Sequence, residues 1–255
     1  MAVEQAKEDP WAEPEWYLLS YQKAMTASSS EEGREPSFAT DENIQTWWRA
    51  AGNQPGEWIS MDLGEVKDVR AVQINFADDK IDAPLPGERQ GERYIDPSQH
   101  KTRWLLEASA DGTNYFVLED KSNAETNLPH DFVVKEEGVQ IRYLKLTVFE
   151  VPYSQNPCVS GLRVFGLGNG EKPTEPQYQA ERVGTMDMRI TIEPQADAVG
   201  YNVLWGFAPD KLYHSCMTFT AEQNIGALVE GETVYVRVDA FNENGITEGT
   251  KVIKL

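Results

Sequence analysis

The feature that most limits what this chain can become is a period of two in its apolar residues. In Trp58-Ile-Ser-Met-Asp-Leu-Gly64, Ile59, Met61 and Leu63 alternate with Ser60 and Asp62 before Gly64 stops the run. Val72, Ile74 and Phe76 alternate in the same way with Gln73 and Asn75, as do Leu144, Leu146 and Val148 with their neighbours. Successive side chains of a strand point to opposite faces, so each run has one face for a core and one for water. Trp104–Ser109 leads through Asp111-Gly112 into Tyr115–Leu118, a hairpin signal, and Leu162–Gly166 adds a further strand. No stretch carries a helical period. Short strands separated by Gly- and Pro-rich turns predict an all-β, antiparallel sandwich.

The runs fall into two groups. Residues 1–15 are acidic, contain Pro10 and Pro14, and read as a linker. A first domain is expected over 16–168. It starts with a strand over Glu15–Ala24 and a polar turn over Thr26–Ser30, then a polar turn at Phe38–Trp48 running into buried tryptophans. Its longest loop, 78–103, holds Pro84, Pro86, Gly87, Gly91 and Pro97 together with Tyr94, His100 and Arg103, and loops of that length are usually functional or disordered. A second irregular loop spans Val151–Cys158. Residues 169–176 form another linker. The last domain, 177–255, alternates at Met188, Ile190 and Ile192, at Tyr201, Val203 and Trp205, and at Val234, Val236, Val238 and Ala240, which predicts a smaller sandwich.

Charge narrows the partners. The net charge is −19, with 23 basic against 42 acidic residues, so no basic field exists for nucleic acid or an anionic membrane, and a neutral ligand is favoured. The two cysteines, Cys158 and Cys216, lie in different halves and form neither a disulfide framework nor a metal-ligand spacing. No apolar run approaches the roughly 20 residues of a membrane span, which speaks against membrane insertion. The N-terminal residues lack an apolar signal-peptide core, so the chain is either cytosolic or a piece whose targeting signal lay upstream.

The motifs Trp16–Ala24, Asp41–Trp48, Gly56–Gly64, Asn75–Asp78, Asn127–Asp131 and Ser160–Gly166 resemble the discoidin, or F5/8 type C, domain. The likeness is to the module that follows the catalytic domain in bacterial glycoside hydrolases of family 43, the β-xylosidase and α-L-arabinofuranosidase group. This implies a discoidin-like jelly-roll β-sandwich, a module that often binds carbohydrate, and an extracellular or periplasmic setting. The chain would then be the non-catalytic C-terminal accessory region of a secreted hydrolase, with its catalytic domain upstream. In the second domain, Gly200–Gly206, Leu228–Glu232 and Val236–Gly245 resemble fibronectin type III, although Val234 stands where that family usually has a tyrosine.

The residues assign no catalysis. No Gly-x-Ser-x-Gly, His-Glu-x-x-His or phosphate loop is present, and His100, His130 and His214 are scattered with structural roles as their default. Calcium is a candidate structural cation. The resemblance places it at Asp41, Asn43 and Thr46 with carbonyls near Ala39, a set of hard oxygens. The family's further glutamate is missing, since Ser160-Gly161 occupies its place. The competing reading is that Asp41 caps the turn through its own backbone. For sugar, the requirement is an aromatic face beside planar polar groups. Trp48 and Trp58 match core positions of the family. Trp47 on the first loop, Tyr94, His100 and Arg103 on the long loop, and Tyr153 and Asn156 on the second are the carbohydrate-binding candidates. Three functions remain open: a non-catalytic region that binds plant-type polysaccharide or positions the enzyme on it, a structural spacer that packs on the catalytic domain and binds no sugar, or, against the absence of assignable catalytic residues, a chain that itself hydrolyses glycosides.

Overall fold

The structure is a computed structural model describing residues 16–81 and 98–255. It divides into two compact units, Leu18–Leu167 and Gly168–Leu255. The first contains strands β1 (Tyr17–Leu18), β2 (Ala24–Ala27), β3 (Trp48–Arg49), β4 (Glu57–Phe76), β5 (Arg103–Ser109), β6 (Phe116–Asp120), β7 (His130–Glu150) and β8 (Cys158–Leu167). Among its described residues the helical elements are two single 3-10 turns, Pro36–Ala39 and Pro152–Ser154.

Two long strands build this unit. β4 and β7 pair antiparallel over most of their length, with a register shift between Asp62 and Lys67. Up to Asp62, β4 also carries β2, and β7 continues through β5 to β6. Beyond Lys67, β4 carries β8 instead, which in turn pairs with β1 and β3. The same two strands therefore run through both layers of a folded-over sheet. Ile59, Met61, Leu144, Leu146 and Leu106 of one layer share a core with Val72, Ile74, Val133, Leu162 and Val164 of the other, around the fully buried Trp48 and Trp104. This is a jelly-roll β-sandwich. Gly138 sits at the irregular stretch with φ +77, a left-handed conformation that favours glycine.

Two sequence expectations change. The first strand is broken, because Gln22 adopts φ 52 and its N–H donates to the Thr40 carbonyl. The chain therefore turns after the buried Leu19 and Ser20, and Thr26, expected in a turn, lies in β2. Trp58 is half-buried rather than core. Period two decides this: with Ile59 and Met61 facing inward, Trp58 faces outward, where Lys145 Nζ lies 5.3 Å from its ring centroid.

The second unit has two sheets. β9 (Tyr178–Arg182), β10 (Met188–Ile192) and β13 (Glu222–Ile225) form the three-stranded one, in the order β13-β10-β9. β11 (Gly200–Gly206), β12 (His214–Thr218), β14 (Tyr235–Asn242), β15 (Gly245–Thr247) and β16 (Ile253–Lys254) form the other. The alternating residues Met188, Ile190, Ile192, Val203, Val236, Val238 and Ala240 make their common core. Val234 is buried there. The buried hydroxyl of Tyr178 on β9, rather than one at position 234, reaches the Val236 and Lys251 carbonyls, and burial pushes its pKa up to about 12.

Candidate functional site

Three loops of the first unit converge at one end of the sandwich. The β3–β4 connection contributes Asn53, Gln54 and Pro55. The approach to β5 contributes Gln99, His100 and Lys101, and the β7–β8 connection contributes Pro152, Tyr153 and Gln155. Together with the end of β7 they line a cleft of about 610 Å³, the size of a small-molecule site.

The β7–β8 loop is the most specialised part. Pro152 starts a 3-10 turn, and Tyr153 and Ser154 follow with φ 59 and φ 50. Left-handed backbone costs a non-glycine residue about 1–2 kcal/mol, so it persists only where the surroundings hold it. Here they do. Asn53 Nδ2 donates to the Ser154 carbonyl at 2.9 Å. The buried Gln155 donates from Nε2 to Asp78 Oδ1 at 2.7 Å and accepts the Asp79 N–H at 3.1 Å. Asn156 Nδ2 donates to the Ala50 carbonyl at 2.8 Å. So fixed, the Tyr153 ring lies against His100, with centroids 4.2 Å apart and planes tilted by 43°.

Charge in the cleft is balanced. Lys101 and Arg103 both pair with Glu125, at 2.5 and 2.7 Å, and Arg103 also pairs with Glu150 at 3.0 Å. The Lys101 and Arg103 cations hold the Glu125 carboxyl below its usual range. Glu150 is the single carboxylate among the described lining residues, so those residues hold no acid–base carboxylate pair. Burial pushes the thiol of Cys158, behind the loop, up to about 12, which disfavours its thiolate. What the arrangement offers is a tilted ring pair flanked by amides, suited to stacking and hydrogen bonding.

Of the sequence candidates, His100 and Tyr153 meet in the cleft. Arg103 adjoins it through Glu150 but is tied up by carboxylates and by the Ala124 carbonyl, 2.9 Å from its Nε. Asn156 works inward, holding the loop. Trp47 does not line the cleft. Its Nε1 donates to Asp79 Oδ2 at 3.0 Å and the Arg34 guanidinium covers its ring at 4.0 Å, so it braces the segment that Gln155 grips. Tyr94 lies outside the described residues. Asn53, Gln54 and Gln155 were not among the candidates. A Gly-Asn-Gln-Pro turn is legible at 52–55, but nothing local says which loop it faces.

The Asp41 turn is closed on itself. Asp41 Oδ1 accepts the Asn43 N–H at 2.9 Å and Oδ2 accepts the Thr46 hydroxyl at 2.6 Å, while Asn43 Oδ1 accepts the Gln45 N–H at 3.0 Å. Ala39 is buried beside it, at the end of a 3-10 turn. The neighbouring carboxylate, Glu42, is held bidentately by Arg163 at 2.9 and 2.6 Å. A calcium cage needs six to eight oxygens and carboxylate charge. This turn offers one carboxylate, already used twice, beside a guanidinium, so as it stands it fits a self-capped turn better than a cation site. Among the described residues no group of three or more His, Cys, Asp or Glu is placed to hold a metal. No helix among them is long and apolar enough to cross a membrane.

The F5/8 type C domain model matches residues 24–85, which contain the Asp41 turn, the Asn53 turn and β4. No curated protein matches the chain. Among solved structures, chitosan-binding module 1 of a chitosanase/glucanase from Paenibacillus sp. IK-5 is similar at 19% identity and a TM-score of 0.45, covering 59% of this chain and 99% of its own. CpGH89CBM32-4 of Clostridium perfringens, in complex with GlcNAc-α-1,4-galactose, is similar at 13% identity and a TM-score of 0.47, covering 62% of this chain and 99% of its own. The family 32 module of C. perfringens NanJ, in complex with galactose, is similar at 18% identity and a TM-score of 0.45, covering 59% and 98%.

Proposed function

We propose that the first unit is a non-catalytic carbohydrate-binding module whose ligand sits in the Asn53–His100–Tyr153 cleft. The observation that carries this reading is the strained, side-chain-braced loop that sets the Tyr153 ring against His100 beside the amides of Asn53 and Gln54. A sugar presents an apolar C–H face and a rim of hydroxyls, and it is matched by an aromatic face and planar amides. Backbone strain held in place by neighbouring side chains is typical of binding sites. The F5/8 type C match at 24–85 supports the same reading, since modules of that family often bind carbohydrate. The balanced ion pairs around the cleft favour a neutral sugar.

The finer reading is that the chain is an accessory region of a secreted family 43 glycoside hydrolase, with xylan or arabinan as its polysaccharide. The motif set at Asp41–Trp48 and Gly56–Gly64 supports it.

The test is calorimetric titration of the chain with xylo-, arabino- and galacto-oligosaccharides. At least one should release heat, and His100→Ala or Tyr153→Ala should weaken it about tenfold or more, the loss expected for one stacking ring with its contacts. No heat with any sugar would sink the module reading and leave the spacer role.

A further inference from the structure

The layer in which β4 lies between β7 and β8 has an outer face that shares no residue with the cleft. Val72 and Ile74 of β4 point into the core, so Ala71, Gln73 and Asn75 point outward. Strand register sets Val134, Phe132 and His130 of β7 directly opposite them, and Phe165 and Arg163 of β8 opposite Ala71 and Gln73. Opposed residues share a face, so these eight side chains stand on one surface. Its polar members form a ladder across the strands. Asn75 Oδ1 accepts the Gln73 amide and the His130 ring N–H at Nδ1, both at 3.1 Å, and Gln73 Oε1 accepts Arg163 Nη1 at 3.2 Å. Arg163 ends the ladder on the Glu42 carboxylate, which neutralises it. Asn75 Nδ2 has no partner among the described residues, and with the hydrogen on Nδ1 an uncharged His130 keeps Nε2 as an acceptor. Beside these groups, Phe132 and Val134 are 59% and 50% exposed.

We propose that this outer face is a second, flat saccharide site, on which a neutral glycan chain lies with its C–H face on Phe132 and Val134 and its hydroxyls on Asn75 and His130. A hydroxyl both donates and accepts, and the fixed ladder offers a donor and an acceptor beside an exposed ring. Charge and area commit the face to this occupant. Among the eight side chains only Arg163 carries a fixed charge, and Glu42 holds it, in a chain that is 25% charged. A polyanionic or strongly charged partner finds no matching field there. The area is also small. Three strands about 4.8 Å apart, with outward residues about 6.8 Å apart along each, span roughly 10 Å by 14 Å. A stable protein interface buries about 800 Å² on each partner. Ion pairs border the face, Lys121 with Asp131 at 2.5 Å and Lys135 with Glu119 at 3.7 Å on one side and Arg163 with Glu42 on the other. A wider protein contact would cover those charges, whereas the core of a protein interface is depleted of them. A short run of sugar rings fits between them. The site goes beyond the cleft and does not depend on it.

The test follows the Asn75 side-chain amide resonances of the full chain, assigned with Asn75→Asp, during titration with neutral hexasaccharides of xylose, arabinose, galactose and glucose. At least one should move them. The Kd read there should rise about tenfold or more in Phe132→Ala. It should return to the parent value in Phe132→Tyr, which restores a ring, and stay unchanged in His100→Ala/Tyr153→Ala. Amides that no probe moves, a Kd indifferent to Phe132→Ala, or a tyrosine variant as weak as the alanine one overturns the site. So does a Kd raised by the cleft variant, because the shift would then be relayed from the cleft. Sedimentation showing a dimer that Phe132→Ala abolishes would also overturn it, making the face a contact between copies. Calorimetric heat lost in the cleft variant while the Asn75 amides stay still would keep the cleft and remove this site. Moving amides with heat indifferent to the cleft variant would do the reverse.

Discussion

The turn at 41–48 and the loop at 151–158 have similar length and different surroundings. In the first, Asp41 takes the Asn43 N–H and the Thr46 hydroxyl within the turn, and the left-handed Glu42, at φ 58, is held by Arg163 of β8. In the second, two consecutive residues adopt left-handed backbone, and the bonds that hold them come from elsewhere, from Asn53 and from the Asp78-Asp79 segment. A loop kept strained by distant side chains to present a ring to a cleft is best explained by what it binds. Left-handed backbone and long-range bracing occur in both segments, so what marks the site is the cleft that the second one lines.

Three experiments break or sharpen that contrast. The largest effect is expected from Arg163→Ala. It leaves the Glu42 carboxylate, whose side chain is 6% exposed, without its cation. Because Arg163 itself is partly solvated, the cost is about 2–3 kcal/mol rather than the full penalty of a buried pair. Urea denaturation should show a lower midpoint at unchanged slope, with sugar affinity at the cleft preserved. Lost affinity would mean that the first loop also serves the site. Next come Tyr153→Gly and Tyr153→Ala, compared with each other. Both lose the ring and should bind sugar equally poorly. Glycine relieves the φ 59 backbone that alanine keeps, so the glycine variant should be the more stable by about 1 kcal/mol. Equal stabilities would show that the loop is unstrained in solution. The smallest effect is expected from calcium. Millimolar Ca²⁺ followed by chelator should leave Tm unchanged if the Asp41 turn is self-capped. A rise of several degrees that chelator reverses would make the turn a cation site and dissolve the contrast.

The strands were legible because their cause is local. Ile59, Met61 and Leu63 declare a buried face in seven residues, and the same rule applied strictly would have turned Trp58 outward. The break at Gln22 was not legible, since it depends on the Thr40 carbonyl arriving from across the fold. At the site, His100 and Tyr153 could be nominated as aromatic loop residues, but Trp47 and Asn156 have the same composition and proved to be braces. Which loop each side chain faces, not residue type, separates them, and that is tertiary.

By itself the sequence determined the all-β class, the face each strand buries, and the acidic surface that argues against nucleic acid, because periodicity and charge are properties of neighbouring residues. Only the tertiary structure decided what the loops make together. The Asn53–Ser154 hydrogen bond joins residues 101 positions apart. It forms because β4 and β7 lie side by side through both layers, bringing the β3–β4, β5-leading and β7–β8 loops to one end of the sandwich. No short-range pattern encodes that meeting, because it follows from strand order, and strand order is settled by how the whole core closes.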